Sequence, residues 1–266
     1  MSGTANGPDS IELLFLGSGT SAGVPMIGCH CPVCQSNDSH DKRTRTSAVV
    51  SYGGKHVLID TTPELRLQAV ANKVDWIDAV VMTHGHADHI MGLDDVRRFN
   101  AIRKGPLDVW ADRATHESLT KCFGYAFRAP SPEMKVFRPH LERRYIDGDF
   151  EIGGTAWQVI PLMHGDMPVL GFRVGNLAYC TDVSFMPEGS IERLAGLDIL
   201  VLDALAWHKH PTHFSIDEGL AIVERLKPRQ TYFTHISHNC GHVETNARLP
   251  AGVELAYDGL RVRATA

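Results

Sequence analysis

Residues 83–92 read THGHADHIMG, and four of the six positions from 84 to 89 hold side chains that can bind metals. The stretch before them, VDWIDAVVM (74–82), predicts an apolar strand, and GLDDVRRFN (92–100) predicts the start of a helix. His84 and His86 alternate along extended backbone and can point at one place, while Asp88 and His89 enter the helix. The alternative is a polar turn without a metal, but such turns more often use Gly, Asn or Ser. The loop therefore predicts a site for two adjacent cations, bound through imidazole nitrogen and carboxylate oxygen.

Other predicted strands end in a polar side chain of the same kind. AYCTD ends in Asp182 and TYFTH ends in His235, each after a threonine as in VVMTH, and VIPLMHGD carries His164. Taken singly, each is equally well explained as a capped strand end or a hydrogen-bonded histidine. Together with the loop they supply seven candidate ligands: His84, His86, Asp88, His89, His164, Asp182 and His235.

The composition is that of a globular protein. The chain has 266 residues and a net charge of −5, whereas proteins that bind nucleic acid usually present a basic surface. The opening MSGTANGPDS lacks the apolar core of a signal peptide, and the run IELLFLG is too short to cross a bilayer. We expect a cytoplasmic protein without membrane contact, with a disordered tail over residues 1–10 and a single domain over residues 11–266.

Short apolar runs rich in Val, Ile, Leu and aromatics alternate with helical patterns along the whole chain. The clearest helix is SIDEGLAIVERLKP (215–228), in which Ser215 and Glu218 have the spacing of a capping box and Pro228 follows the last turn. Many strands in two runs, with helices between them, fit two packed sheets with outer helices better than one doubly wound sheet. The predicted class is therefore α/β (α+β).

Three of the six cysteines, in CHCPVC, lie within six positions, and the other three are scattered. In a chain of this size such a cluster favours a metal over a disulfide, and buried free thiols are the alternative. The stretch 121–145 carries six Lys and Arg against two Glu, with aromatics between them. We interpret it as a solvated excursion; a flap facing phosphate or RNA is the alternative.

The pattern HxHxDH, followed by a lone His, a lone Asp and a late His, resembles the metallo-β-lactamase superfamily. The resemblance implies a four-layer αβ/βα sandwich with a two-metal site at one sheet edge. It implies one metal on His84, His86 and His164, the other on Asp88, His89 and His235, and Asp182 as the bridge. It also implies that Asp60, at the end of HVLID, orients a ligand histidine; a turn residue at a strand end is the alternative.

The opening GSGTSAGVPMIGCHCPVC (17–34) resembles the phosphoribosyl 1,2-cyclic phosphate phosphodiesterase family, which is related to the tRNA 3′-processing nucleases. That resemblance implies a structural zinc on Cys29, Cys31, Cys34 and His238, with His30, Cys240 and His242 as weaker alternative ligands. The zinc would pin the N-terminal loop over the active-site edge. The resemblance also places a catalytic histidine at His213 in HPTHFSIDEG, while His208 and His210 are expected to face solvent.

These resemblances imply a metal-dependent phosphodiesterase with two divalent ions, Zn or Mn, that activate a hydroxide. Asp182 would bridge the ions and His213 would protonate the leaving oxygen. The expected partner is a small cyclic or nucleotide-like phosphodiester, with 5-phosphoribosyl 1,2-cyclic phosphate as the candidate. The sequence does not fix the oligomeric state; a homodimer is the commonest assembly of such enzymes.

Three alternatives are weaker. A tRNA 3′-processing endonuclease is opposed by the negative charge and by the lack of a long Gly/Pro-rich arm. A lactone or thioester hydrolase is opposed by the cysteine cluster and by His213. A non-catalytic, zinc-stabilised interaction protein would leave seven clustered ligands idle, although burying them unused carries a desolvation cost.

Overall fold

The computed structural model describes residues 10–129 and 137–266. The predicted tail lies outside the described residues except for Ser10, which begins the first strand. The strands are β1 (Ser10–Gly17), β2 (Ser47–Tyr52), β3 (Lys55–Ile59), β4 (Ala79–Val81), β5 (Leu107–Ala111), β6 (Leu141–Tyr145), β7 (Phe150–Ile152), β8 (Thr155–His164), β9 (Met167–Val174), β10 (Leu177–Cys180), β11 (Ile199–Asp203), β12 (Gln230–Thr234), β13 (Val253–Leu255) and β14 (Arg261–Thr265).

The strands form two sheets with the same internal plan. The first has the order β14-β1-β2-β3-β4-β5-β6 and the second the order β13-β12-β11-β10-β9-β8-β7. In each sheet, the three neighbouring pairs on one side are antiparallel, and the three pairs on the other side, joined by helical crossovers, are parallel. Because parallel neighbours end at the same sheet edge, the residues that follow β3 and β4, and those that follow β10, β11 and β12, lie together.

A buried apolar layer fills the space between the two sheets, and a further layer covers the outer face of each sheet. The inner layer is centred on Trp157, which is 0% exposed. Its Nε1 donates to the Tyr52 hydroxyl at 2.8 Å, and that hydroxyl donates to the Ile152 carbonyl at 3.0 Å. These bonds satisfy the polar ends of two aromatic side chains that pack between the sheets.

Helices pack on the outer faces, so the predicted four-layer αβ/βα sandwich is confirmed. The helices are α1 (Pro32–Gln35), α2 (Leu65–Asn72), α3 (Ala87–Ile90), α4 (Arg97–Arg103), α5 (Arg113–Phe123), α6 (Glu188–Arg193), α7 (Ile216–Leu226) and α8 (His242–Asn246), with 3-10 turns at Ser39–Asp41, Leu93–Val96 and Gly124–Phe127. Among the described helices, none combines the length and the apolar character needed to cross a membrane.

The capping box predicted for α7 is present: the Ser215 side chain accepts from the Glu218 amide, and the Glu218 carboxylate accepts from the Ser215 amide. The helix predicted to contain Asp88, His89 and residues 92–100 is not continuous. It divides into α3, a 3-10 turn and α4, because Gly92 lies against Thr62. A Cβ at Gly92 would stand 1.9 Å from the Thr62 carbonyl oxygen, so the chain must pass here without a side chain.

The basic stretch 121–145 forms the end of α5, a 3-10 turn and β6, and residues 130–136 lie outside the described residues. Most of its arginines already have partners. Arg138 donates to the carbonyls of Tyr125 and Arg128, Arg143 lies over the Phe127 ring, and Arg144 pairs with Asp108 and Glu142. These contacts favour a solvated excursion over an anion-binding flap.

Candidate active site and metal centres

The seven candidate ligands lie together at one edge of the sandwich, because each follows the carboxyl end of a strand. His164 is the last residue of β8, Asp182 lies two residues beyond β10, and His235 follows β12 directly. His84 lies three residues beyond β4. The two sheets meet here through a bond from the Leu170 amide to the Thr83 carbonyl at 3.0 Å. The edge is therefore built jointly by both sheets.

Asp182 is the centre of the cluster. Its carboxylate lies 3.3 Å from His89 Nε2, 3.5 Å from His235 Nε2 and 3.9 Å from His84 Nε2. Asp88 approaches the same two imidazoles, at 3.5 Å from His89 Nε2 and 3.9 Å from His235 Nε2. Ligand atoms lie within 4.8 Å of one another in three groups: His84, His89 and Asp182; His86, His164 and Asp182; and Asp88, His89 and His235. A carboxylate shared between groups is the geometry that a bridging ligand requires.

Three of the imidazoles are fixed through their second nitrogen. His89 Nδ1 lies 2.8 Å from Asp60 Oδ2, His84 Nδ1 lies 2.9 Å from the Thr83 hydroxyl, and His164 Nδ1 donates to a backbone carbonyl at 2.6 Å. Asp60 also accepts from the Thr83 amide and hydroxyl, both at 2.8 Å. Such partners set the tautomer and the ring orientation, so Nε2 of each ring is left for the centre of the site.

The donor atoms that face the centre lack protein partners. Nε2 of His84, His89 and His235 are buried and make no hydrogen bond. A buried polar nitrogen without a partner costs stability, and a bound cation supplies the missing interaction. Imidazole and carboxylate ligands suit zinc, manganese or iron. The residues therefore fit a divalent metal centre.

Charge within the cluster is balanced between acids and imidazoles. Burial alone would lower the pKa of His89 and His235, but the neighbouring carboxylates together, Asp182 foremost, raise the pKa of both. Burial alone would raise the pKa of Asp182, but the neighbouring His235 and His89 hold it well below its usual value. Burial, reinforced by His89, lowers the pKa of His84. Divalent ions that bind here must displace protons from His89 and His235, so binding is expected to weaken as the pH falls.

The backbone at this edge is strained. Asp60, Asp182 and His235 have φ values of 60°, 57° and 60°, in the left-handed region that few non-glycine residues adopt. The other described non-glycine residues with positive φ are Lys73, Lys104 and Lys227, and each of these caps the C-terminus of a helix. Among the described non-glycine residues, positive φ away from a helix cap thus occurs only at these three site residues, as is typical of functional sites.

His213 lies beside the cluster and is 8% exposed. Its ring stacks on His235, with centroids 4.5 Å apart, and a ring nitrogen lies within 4.8 Å of the ligand atoms of Asp182 and His235. Nδ1 lies 2.7 Å from Asp203 Oδ2, which also accepts from the Val183 amide at 2.7 Å. Asp203 therefore holds a proton on Nδ1 and directs Nε2 to the site. His208 and His210 are exposed, as expected.

The sequence prediction missed Asp203. It is the last residue of β11, is completely buried, and ends its strand as Asp182 and His235 end theirs. The strand-end pattern that selected the other ligands applies to LVLDA as well and would have found it. The backbone carbonyl of Thr212, which accepts from His164 Nδ1, leaves no such signal in the sequence.

A second donor cluster lies between the N-terminal loop and the segment after β12. His238 Nδ1 lies 3.2 Å from Cys29 Sγ, 3.4 Å from Cys31 Sγ and 3.6 Å from Cys34 Sγ. Tetrahedral zinc with the usual bond lengths places nitrogen and sulfur about 3.5 Å apart. The four residues therefore fit a structural zinc site. Cys240 is buried but does not join this group, and neither do His30 and His242.

The cysteines of this cluster differ in acidity. Cys31 is the N-cap of α1, and the hydrogen bond from the Cys34 amide is the main cause that lowers the pKa of Cys31 to about 6. Burial raises the pKa of Cys34 to about 11. One thiolate is thus present near neutral pH, which favours capture of a metal ion.

The model of the beta-lactamase superfamily domain matches residues 55–236. Among solved structures, a diphosphatase of the PhnP family is 46% identical, covers 96% of this chain and 98% of that chain, and superposes with a TM-score of 0.90. Zinc-bound PqqB from Methylobacterium extorquens (21% identity, 94% and 99% coverage, TM-score 0.77) and the short form of human tRNase Z (15%, 94% and 98%, TM-score 0.66) share the fold.

Two curated relatives extend this likeness. An octanoyltransferase of Porphyromonas gingivalis is 37% identical over 94% of this chain, but the chain spans only 51% of that protein. Coenzyme PQQ synthesis protein B of Xanthomonas campestris is 34% identical and is covered to 99%, with 95% of this chain aligned. The chain therefore belongs to the metallo-β-lactamase superfamily and, by its 46% identity over nearly the full length of both chains, to the PhnP family within it.

Proposed function

We propose that this metallo-hydrolase cleaves a phosphodiester in a small cyclic or nucleotide-like substrate, with 5-phosphoribosyl 1,2-cyclic phosphate as the specific candidate. The observation that carries the proposal is the Asp203–His213 pair beside Asp182 and His235. It adds an oriented proton donor, outside the predicted ligand set, to a cluster suited to divalent cations. The 46% identical relative acts on a diphosphate, which supports phosphorus as the reacting atom.

The active-site metals would be two divalent ions, Zn or Mn. His84, His86 and His164, whose rings are neighbours, would hold one, Asp88, His89 and His235 would hold the other, and Asp182, which groups with His84 and His89 and with His86 and His164, would contact both. When bound, such ions polarise phosphoryl oxygens and lower the pKa of water. A structural zinc would be held by Cys29, Cys31, Cys34 and His238.

The protein's own residues then orient the ligands and move a proton. Asp60 and Thr83 fix the rings of His89 and His84, so that their Nε2 atoms need no rearrangement during turnover. Asp203 orients the His213 ring through Nδ1, so that a proton on Nε2 can be given to the leaving oxygen. A positioned proton donor of this kind contributes about 10²–10⁴ in rate.

Hydrolysis of a phosphoanhydride is the second candidate, because the PhnP-family relative is described as a diphosphatase. In a diphosphate diester the attacked phosphorus also carries two bridging oxygens, so the same residues serve both reactions. We do not transfer tRNA processing from the tRNase Z structures, since identity of 15% shows the fold alone. The octanoyltransferase name belongs to a protein of about twice this length and is not transferred either.

The test compares substrates on metal-loaded protein. 5-Phosphoribosyl 1,2-cyclic phosphate, bis(p-nitrophenyl) phosphate, ADP-ribose, a lactone, a thioester and precursor tRNA are each incubated with the wild type, His213→Ala and His208→Ala. We expect turnover of the diesters that falls about 10²–10⁴-fold in His213→Ala. His208 is exposed, and His208→Ala serves as the matched control with wild-type rates. Turnover of the lactone or thioester alone refutes the proposal, and ADP-ribose alone favours the second candidate.

A further inference from the structure

Arg43 is a buried arginine in the loop between the Ser39–Asp41 turn and β2, with 1% of its surface exposed. Nη2 lies 3.0 Å from Asp41 Oδ1, Nε donates to the His40 carbonyl at 3.1 Å, and Nη1 donates to the Ser237 carbonyl at 3.3 Å. Arginine stays charged and is rarely buried completely, because desolvation is offset only where its donors are matched. A buried guanidinium outside the catalytic cluster therefore calls for a specific role.

The Ser237 carbonyl lies between ligands of the two proposed metal sites. His235, in the active site, precedes Ser237 by two residues. His238 follows Ser237 directly and belongs to the second donor cluster of Cys29, Cys31, Cys34 and His238, here called the thiolate site. The amides of Ile236 and Ser237 are held by the carbonyls of Ser18 and Leu205, both at 2.9 Å. The Arg43 contact fixes the next peptide, which joins Ser237 to His238.

The other contacts of Arg43 reach the cysteine loop. Its amide and carbonyl pair with the carbonyl and amide of Val24, both at 2.8 Å, five residues before Cys29. Asp41, which binds the Arg43 guanidinium, also accepts from the His242 amide at 2.8 Å through the same Oδ1. Arg43 thus joins the loop that carries three thiols, through its backbone, to the segment that carries a ligand of each site, through its guanidinium.

We propose that Arg43 is a positioning residue that couples the thiolate site to the active-site metals. The proposal rests on the metal sites assigned under the proposed function. Without the guanidinium, the Ser237 carbonyl is free to turn, and His235 and His238 lose their fixed relation. Metal affinity should then fall at both sites together. Partners that orient metal ligands are typically worth about 10- to 100-fold in affinity.

The test measures metal binding directly in Arg43→Met. Cobalt reports the thiolate site through its sulfur charge-transfer absorption, and chelator competition with elemental analysis reports the active-site ions. Arg173→Met is the matched control. Arg173 also donates to backbone carbonyls, of Gly175, Arg193 and Ala195 at 2.6–2.9 Å, but at the end of β9 that lies away from His164. We expect affinity at both sites to fall about 10- to 100-fold in Arg43→Met and to stay unchanged in Arg173→Met.

An Arg43→Met protein that binds all ions as the wild type does, or that loses affinity at the thiolate site alone, overturns the proposal. If Arg43→Met does not fold, Cys29→Ser replaces it. Coupling between binding sites is reciprocal, so breaking the thiolate site should weaken the active-site ions in a background that keeps Arg43. Unchanged active-site affinity in Cys29→Ser, with Cys122→Ser as control, also overturns the proposal. If the wild-type protein binds the ions at both sites but does not turn over the diesters, only the proposed function is refuted.

Discussion

The active-site edge and the thiolate site assemble their donors in opposite ways. At the edge, the donors follow strands of both sheets, and Asp60, Thr83 and a backbone carbonyl hold the second nitrogen of three imidazoles. In the thiolate site, three of four donors come from the six residues 29–34. All three sulfurs contact His238, and two of them accept from backbone amides of the same loop. Several strands and their partners thus hold the donors of the edge, whereas the donors of the thiolate site come mostly from one short loop next to His238.

The largest effect is expected from Asp182→Asn, which removes the carboxylate shared between the donor groups. His89 and His235 lose the charge that raises their pKa values, and the bridging contact is lost. Diester turnover should fall by more than about 10⁴-fold, beyond the range for losing a proton donor. Elemental analysis should find the thiolate-bound ion alone. Retention of the active-site ions would show that Asp182 is dispensable for assembly.

Asp203→Asn tests whether orientation at the edge is separable from metal binding. Both bonds are accepted by the same carboxylate oxygen, Oδ2, and an uncharged amide oxygen in its place accepts more weakly, so the His213 ring is held less firmly. We expect kcat to fall about 10²–10⁴-fold with unchanged metal content. The double variant with His213→Ala should be no slower than His213→Ala alone. Asp198→Asn, at an exposed carboxylate bound to Thr265, is the control.

The thiolate site can be probed by alkylation of metal-free protein at pH 7. With a pKa of about 6, Cys31 is about 90% thiolate, whereas Cys34, with a pKa of about 11, is almost entirely thiol. The greater intrinsic nucleophilicity of the less acidic thiolate offsets part of this difference, which leaves Cys31 about 30- to 100-fold faster. Peptide mass spectrometry on a Cys122→Ser background measures the rates. Zinc should protect both cysteines, and equal rates without zinc would contradict the assignment.

The smallest effect is expected from Asp60→Asn, which disturbs the support of the edge but leaves every proposed ligand in place. Asp60 accepts from the Thr83 amide, the Thr83 hydroxyl and His89 Nδ1, and an amide replaces one acceptor oxygen by a donor group. Active-site metal affinity should fall about 10- to 100-fold, and excess metal should restore turnover. Chelator competition measures the change. An unchanged affinity would mean that the fold alone positions His89.

Much of this edge was predictable because the strand-end pattern is local in sequence and convergent in space. Apolar strands that end in Asp182 or His235 identify both the element and the donor, and parallel pairing of β10, β11 and β12 brings the ends together. The resemblance then supplied the pairing of ligands. Asp203 obeys the same pattern and was missed only because no second feature drew attention to it.

Other features depend on tertiary contacts that a linear pattern does not carry. The break at Gly92 depends on the approach of Thr62, which is distant in sequence. Arg43 looks like a surface residue in a polar loop, and only the folded chain shows that it is buried against Ser237. The strands β6 and β7 were not predicted, because β6 has a mostly exposed, charged sequence at the sheet margin.

Asp60, Asp182 and His235 have left-handed backbone, which lowers the stability of the folded chain at the same three residues that the proposed chemistry needs. Each such conformation costs roughly 1–3 kcal/mol, and glycine would relieve it. Selection of this chain for heat resistance alone would therefore favour replacements that remove the chemistry. A more thermostable variant should therefore keep these three residues and gain its stability from substitutions in the outer helices and their caps.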